Sequence, residues 1–157
     1  MNAFAFSSLL IFLFSIGLVF FLCIKGKKDK ITTLWIFVCS IASIWGLGGY
    51  KFSTTISKEV AFFWWQIAYI SVIFTPVTFY HFVYTFLKLN KKYYKYILLL
   101  VYVLGVIFLI FNFFIPSLFL GDLRLIFNQF WFLDWLKKKN ILYLLFYISF
   151  YCLLWVC

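Results

Sequence analysis

Residues 60–87 read VAFFWWQIAYISVIFTPVTFYHFVYTFL, a run without one formal charge between Lys58-Glu59 and Lys88. At about 1.5 Å per residue a helix of this length reaches roughly 42 Å, more than the ~30 Å hydrocarbon core of a bilayer. Buried helices of water-soluble proteins rarely stay apolar for so long. Trp64, Trp65 and Tyr69 gather toward one end, and Tyr80, His81 and Tyr84 toward the other. That arrangement resembles the aromatic belts found where a span meets water. The stretch predicts a central transmembrane helix with the other spans packed around it.

Composition agrees. The chain has 157 residues, of which 67% are hydrophobic and 11% charged, with twenty-four Phe, eleven Tyr and seven Trp. A soluble domain of this size needs far more polar surface. The net charge of +10 would suit nucleic acid. However, the lysines and arginines fall in short clusters between apolar runs, which is the pattern of membrane topology. The expected partner is the lipid bilayer, not nucleic acid. Cys23, Cys39, Cys152 and Cys157 all lie inside apolar runs, without CxxC or Cys/His ligand spacing and with a single histidine in the chain. No metal and no other cofactor is expected, and the cysteines read as small hydrophobes.

Toward the N-terminus, a first span covers about 3–24. It lacks a positive n-region and an A-x-A site, and its apolar core exceeds the ~7–15 residues of a signal peptide, so it reads as a retained helix. Lys25-Gly26-Lys27-Lys28-Asp29-Lys30 follows. The positive-inside rule puts that loop in the cytoplasm and the N-terminus outside. The second span, about 31–50, carries Cys39, Ala42, Ser43, Gly46 and Gly49 at helical spacing. In lipid, close backbone approach holds helices together, and small residues permit it. This face is expected to pack on the central helix, and a ligand crevice beside Trp45 is the functional alternative.

Ser57 is expected to cap the central helix, about 60–87, with Lys58 and Glu59 in its first turn. Pro76 falls in mid-membrane and removes a backbone hydrogen bond. Thr75, Thr78 or water are the groups expected to satisfy the freed carbonyl, and the bend is either a hinge or a static kink. His81 is the only histidine. Its two readings are a structural ring reaching the interface and a proton- or ligand-sensing group.

Lys88-Leu89-Asn90-Lys91-Lys92-Tyr93-Tyr94-Lys95 forms a second lysine-rich loop on the same side as the first. A fourth span runs over about 96–115 and stops at Pro116. Residues 117–140 are rich in Leu, Phe and Trp but carry Asp122, Arg124, Asn128, Gln129 and Asp134. A crossing would place Asn128 and Gln129 near the midplane at high cost. An extracellular loop or interfacial helix is expected instead, with Phe127, Phe130, Trp131, Phe132 and Trp135 at headgroup level. Residues 141–157 open a fifth span, and its end on an apolar Cys157 reads as a truncation. The expected fold is an all-α polytopic helix bundle with about five spans, forming one membrane-embedded domain over 1–157.

Several local patterns recur in order. Trp45-Gly46-Leu47-Gly48 closes the second span, and Ser57 sits in the short outer loop. Trp64, Tyr69-Ile70 and Phe74-Thr75-Pro76-Val77-Thr78-Phe79-Tyr80-His81-Phe82 follow in the third. Together they resemble the N-terminal seven-transmembrane input region of bacterial sensor histidine kinases and some diguanylate cyclases, over most of residues 1–115. The resemblance implies an outside N-terminus, a large outer loop after the fourth helix and a sensing role. The chain departs from that pattern in having about five of the seven helices. It also lacks a phospho-acceptor His-box, a glycine-rich ATP-lid and a GGDEF-like signature. The resemblance therefore implies the sensing half of a two-component or related signal-transduction protein, with a kinase or cyclase output acting in cis or trans in the cytoplasm, and a homodimer as a possible assembly.

Three function classes follow. A membrane-embedded signal-input module would carry its conformational shift in the second and third helices, and Trp45, Gly46, Gly49, Trp64, Pro76 and His81 are the candidate sensing or helix-packing residues. A small transporter or permease-like subunit is the alternative, although paired polar groups and repeated broken helices are not evident. A lipid enzyme is least favoured, because Asp29, Glu59, Asp122 and Asp134 lie outside the spans and far apart in sequence, which leaves no acid–base pair. No catalytic residue is expected.

Overall fold

The computed structural model describes residues 3–88, 92–116, 123–126 and 130–133. Four long helices carry the fold: α1 (Ala3–Lys25), α2 (Lys30–Thr54), α3 (Lys58–Phe86) and α4 (Lys92–Phe114). All four are long and apolar enough to cross a membrane. Their outward faces fit that solvent, since Phe14, Phe20, Phe21, Ile24, Leu99 and Phe114 are all exposed. Apolar exposure on this scale is a liability in water and ordinary in lipid. The helix bounds fall within a few residues of the expected spans. The expected fifth span, 141–157, lies outside the described residues.

Local chemistry sets the helix ends. Gly26 N donates to Leu22 O at 2.9 Å and closes α1. Asp29 is the N-cap of α2, and its Oδ1 accepts from Thr32 N at 2.7 Å. That bond holds the Asp29 carboxyl below its usual range. Because the folded form binds its proton less readily, the cap's contribution is present above the ordinary value of 3.8 and fades as pH falls below it. Asp29→Asn is expected to keep the cap and lose this acid sensitivity, whereas Asp29→Ala frays the first turn of α2; amide exchange at Thr32 and Thr33 against pH separates the two. Ser57 does occupy the N-cap position of α3, but its hydroxyl makes no capping bond, contrary to the expectation. Its carbonyl accepts from Ala61 N at 3.0 Å instead.

The helices pack in chain order, α1 on α2, α2 on α3 and α3 on α4. Residues 60–87 are thus not the hub around which all spans gather; α2 and α3 share the middle. The small-residue face of α2 also turns the other way from the one expected. A Cβ placed on Gly46 would stand 2.5 Å from Phe12 N and 2.9 Å from Ser8 O, and one on Gly49 would stand 2.8 Å from Ser8 Oγ. Both glycines therefore seat α2 on α1. The contact with α3 is made by Gly48, whose added Cβ would meet Ala68 Cβ at 2.8 Å. Gly46 and Gly48 lie two residues apart, so they point to opposite sides of α2, and each side is smoothed for a different neighbour.

The core sits where α2 ends and α3 begins. Trp65 stacks on Phe52 with centroids 4.0 Å apart, packs edge-on to Trp45 at 6.2 Å and lies 5.9 Å from Tyr69. Trp65 and Tyr69 are each only 2% exposed. They belong to the core, not to an interfacial belt, as does the buried Tyr80. Clustering near a helix end places a ring at membrane depth, but rotation about the helix axis decides whether it faces lipid or protein.

Over 117–140, where an extracellular loop or an interfacial helix is expected, the described residues are strands. Strands β1 (Leu123–Ile126) and β2 (Phe130–Leu133) pair antiparallel, with Leu123 opposite Leu133 and Ile126 opposite Phe130. Runs such as Phe-Trp-Phe-Leu have high strand propensity, and periodicity over four residues cannot separate strand from helix. Leu123 is buried against the Phe52–Trp65 core, and β2 runs against α2, so the hairpin lies over that end of the bundle. Phe127, Asn128, Gln129, Asp134 and Trp135 lie outside the described residues.

Candidate functional site

The alternation of the helices brings the C-terminal ends of α1 and α3 to the same end of the bundle as the N-terminal ends of α2 and α4. A cavity of about 1230 Å³ opens there between the helices. Lys27, Lys28, Lys30 and Lys88 line its mouth, so both lysine-rich connectors reach one site, as their spacing along the chain implies. Ile41, Phe74 and Val77 form an apolar wall deeper in.

Within this cavity His81 Nδ1 and the Tyr102 hydroxyl are 2.8 Å apart, with their rings set edge to face at 78°. Either the phenol donates to a bare Nδ1 or it accepts from Nδ1–H, according to the imidazole tautomer. His81 is therefore not a ring reaching alone toward the interface. It bridges α3 to α4 and lines the groove. Thr78 and Ile41 border both this cavity and a second crevice of about 400 Å³. The crevice lies between α2 and α3 beside Trp45, where the sequence places a candidate ligand site. Ser71 also lines it, with a buried hydroxyl that has no hydrogen-bond partner among the described residues.

The candidate residues divide among these features. His81 lines the large cavity and Trp45 the crevice. Gly46 and Gly49 are seats for α1. Trp64 lies at the far end of α3, with Lys51 Nζ 5.7 Å from its ring centroid, a cation–π distance. Pro76 lies inside α3, at the level of the crevice, whose α3 lining runs from Ser71 to Phe79, and about one turn before His81. The Thr75 and Thr78 hydroxyls both donate to backbone, but to Ser71 O and Phe74 O, each at 2.7 Å. The carbonyl that Pro76 frees belongs to Val72, so neither threonine satisfies it, contrary to the expectation, and their back-bonds to the i−4 carbonyls on either side favour a bend there.

Two residues escaped sequence reasoning. Tyr102 had no signal beyond being a phenol in an apolar span. Asn112 had one, as a lone amide in α4. Asn112 is fully buried, donates from Nδ2 to Gln66 O at 2.9 Å and accepts Gln66 Nε2 on its own carbonyl at 3.0 Å. This reciprocal clamp ties α4 to α3, the pairing expected of polar residues between membrane helices. Asn112 Oδ1 remains without a partner among the described residues.

Fold and site together define a bundle of four membrane-compatible helices with a lysine-rimmed groove between them. Among the described residues no three His, Cys, Asp or Glu side chains gather as metal ligands would. No family model, no curated protein and no solved structure matches the chain.

Proposed function

We propose that this chain is a membrane-embedded signal-input module, which passes a change in helix arrangement to a cytoplasmic output domain of the kinase or cyclase type. The observation that carries the reading is the groove itself: a concave site built between α1, α2, α3 and α4, with a polar pair inside and with Pro76 in α3, the helix that carries His81. A ligand seated there touches four helices at once, so it favours whichever relative placement of those helices fits it best. Pro76 lowers the cost of bending α3 between the core end and the groove end. The ordered likeness of residues 45–82 to the histidine-kinase input region supports the same reading, as does the lysine-rich end as its cytoplasmic face.

The reading frame beyond the codon for Cys157 provides the direct test. Continuation into further spans and a kinase or cyclase domain is the expected result. A chain that by itself moves a solute across vesicle membranes would overturn the reading in favour of a transporter.

A further inference from the structure

The large cavity changes character along its length. Among the described residues its mouth carries Lys27, Lys28, Lys30 and Lys88 against a single acid, Asp29. That acid is already engaged, because its Oδ1 accepts the Thr32 amide at the start of α2. Roughly 10 Å farther in, at about 1.5 Å per residue from Lys88, stand the His81 ring and the Tyr102 hydroxyl. Beyond them the wall is apolar, and the shared residues Ile41 and Thr78 lead on to the crevice beside Trp45. A soluble anion uses the first zone alone. An apolar molecule uses the last alone and leaves the mouth, four lysines less one aspartate among the described residues, with a net charge of +3 unmatched.

Lys88 adds an independent observation. It has a φ of 50°, the single positive value outside glycine among the described residues. Glycine is the usual residue where a chain leaves a helix in this conformation, because it has no Cβ to clash. A lysine there gives up that ease and places its ammonium at the mouth of the cavity. Backbone held in a sparsely populated conformation marks a position kept for something other than stability.

From this gradient we infer that the groove binds an anionic phospholipid, with its headgroup phosphate among Lys27, Lys28, Lys30 and Lys88, its glycerol region at His81 and Tyr102, and an acyl chain along the α2–α3 wall. Basic pockets between spans at the membrane surface recognise acidic headgroups in this way. The inference deepens the signal-input reading by naming the class of molecule its groove accepts. It stands or falls on binding alone, whatever the output domain proves to be.

The test uses the full chain in detergent micelles, with phosphatidylglycerol, phosphatidylcholine or inorganic phosphate titrated in and bound species resolved by native mass spectrometry. Phosphatidylglycerol is expected to bind best, and added salt to weaken it. Each lysine removed from the mouth is expected to weaken it about fivefold, and the triple variant K27Q/K28Q/K88Q about a hundredfold. The control K51Q/K58Q, at the other end of the bundle, is expected to bind as the parent does. K88G separates headgroup binding from folding: it relieves the backbone, so the lipid-free protein unfolds no earlier than the parent, yet its phosphatidylglycerol affinity falls about fivefold. Equal affinity for phosphatidylcholine, equal affinity for inorganic phosphate, or equal losses in the mouth and control variants would overturn the inference. So would a disulfide between a cysteine placed at Thr85 and Cys152 or Cys157, within one chain or between two, since protein would then fill the groove.

Discussion

Gly46→Leu is expected to separate α1 from the rest of the bundle, at a net cost of about 2 kcal/mol or more. A Cβ on Gly46 would meet Phe12 N at 2.5 Å and Phe12 Cα and Ser8 O at 2.9 Å. All three are backbone atoms inside a helix, so no rotamer change makes room and α1 must move as a whole. The intrinsic preference runs the other way. Replacing glycine by alanine in a helix interior ordinarily gains about 1 kcal/mol. Overpacking costs about 1–3 kcal/mol or more, and the bulk of leucine beyond Cβ pushes toward the upper limit. Lipid offers no compensating hydrophobic term, because helices held apart bury their apolar faces in acyl chains just as well. Gly17 provides the control: an added Cβ there meets nothing within 4 Å, so Gly17→Ala is expected to be neutral or stabilising by about 1 kcal/mol. Reversible unfolding in mixed micelles, with a distance probe between α1 and α2, measures both. Equal stability of Gly46→Leu and the parent would show that the α1–α2 seat contributes nothing.

Trp65→Ala is the second large effect, expected to cost about 3 kcal/mol. The ring is 2% exposed and makes contact with Phe52, Trp45 and Tyr69, so its removal strips the core of its middle aromatic. In water such truncations cost about 3–5 kcal/mol, part of it for transfer out of solvent. Within a bilayer the unfolded reference keeps much of that transfer term, which favours the lower end of the range. Leu123 packs on the same cluster, so proteolysis between β1 and α4 is expected to accelerate in this variant. Trp64→Ala is the matched comparison. Its ring is partly buried at the edge of the same cluster, with Lys51 Nζ 5.7 Å from its centroid, and its loss is expected to cost less, about 1–2 kcal/mol. If the two variants unfold together, the neighbouring tryptophans do not differ in the way their burial implies.

The fold was legible where a residue's environment is uniform along an element. Uncharged runs over 3–24, 31–50, 60–87 and 96–115 marked α1 to α4, because the bilayer imposes a length and a polarity that few other settings require. The lysine connectors placed two turns at one end by parity alone. The hairpin was missed because four-residue apolar strands carry no helical or alternating signature of their own. Within the candidate site, His81 and Trp45 stood out as the lone histidine of the chain and a tryptophan beside glycines. Tyr102, which pairs with His81, and Ser71, which lines the crevice with Trp45, did not, since a hydroxyl in an apolar span is common and gains meaning only from what faces it.

Residue order and composition determined that this chain forms long lipid-compatible helices, where each lies to within about four residues, and which end collects the positive charge. They did so because those properties depend on local backbone satisfaction and on transfer into hydrocarbon, which act on each segment separately. The azimuth of each helix belonged to the tertiary structure alone: Gly46 against α1 and Gly48 against α3, Trp65 in the core and Trp64 at its edge, His81 onto Tyr102 and Gln66 onto Asn112. In an apolar solvent the faces of a helix differ little in hydrophobicity, so rotation is fixed by steric fit and a few polar contacts between neighbours. Those contacts exist only once the helices have met.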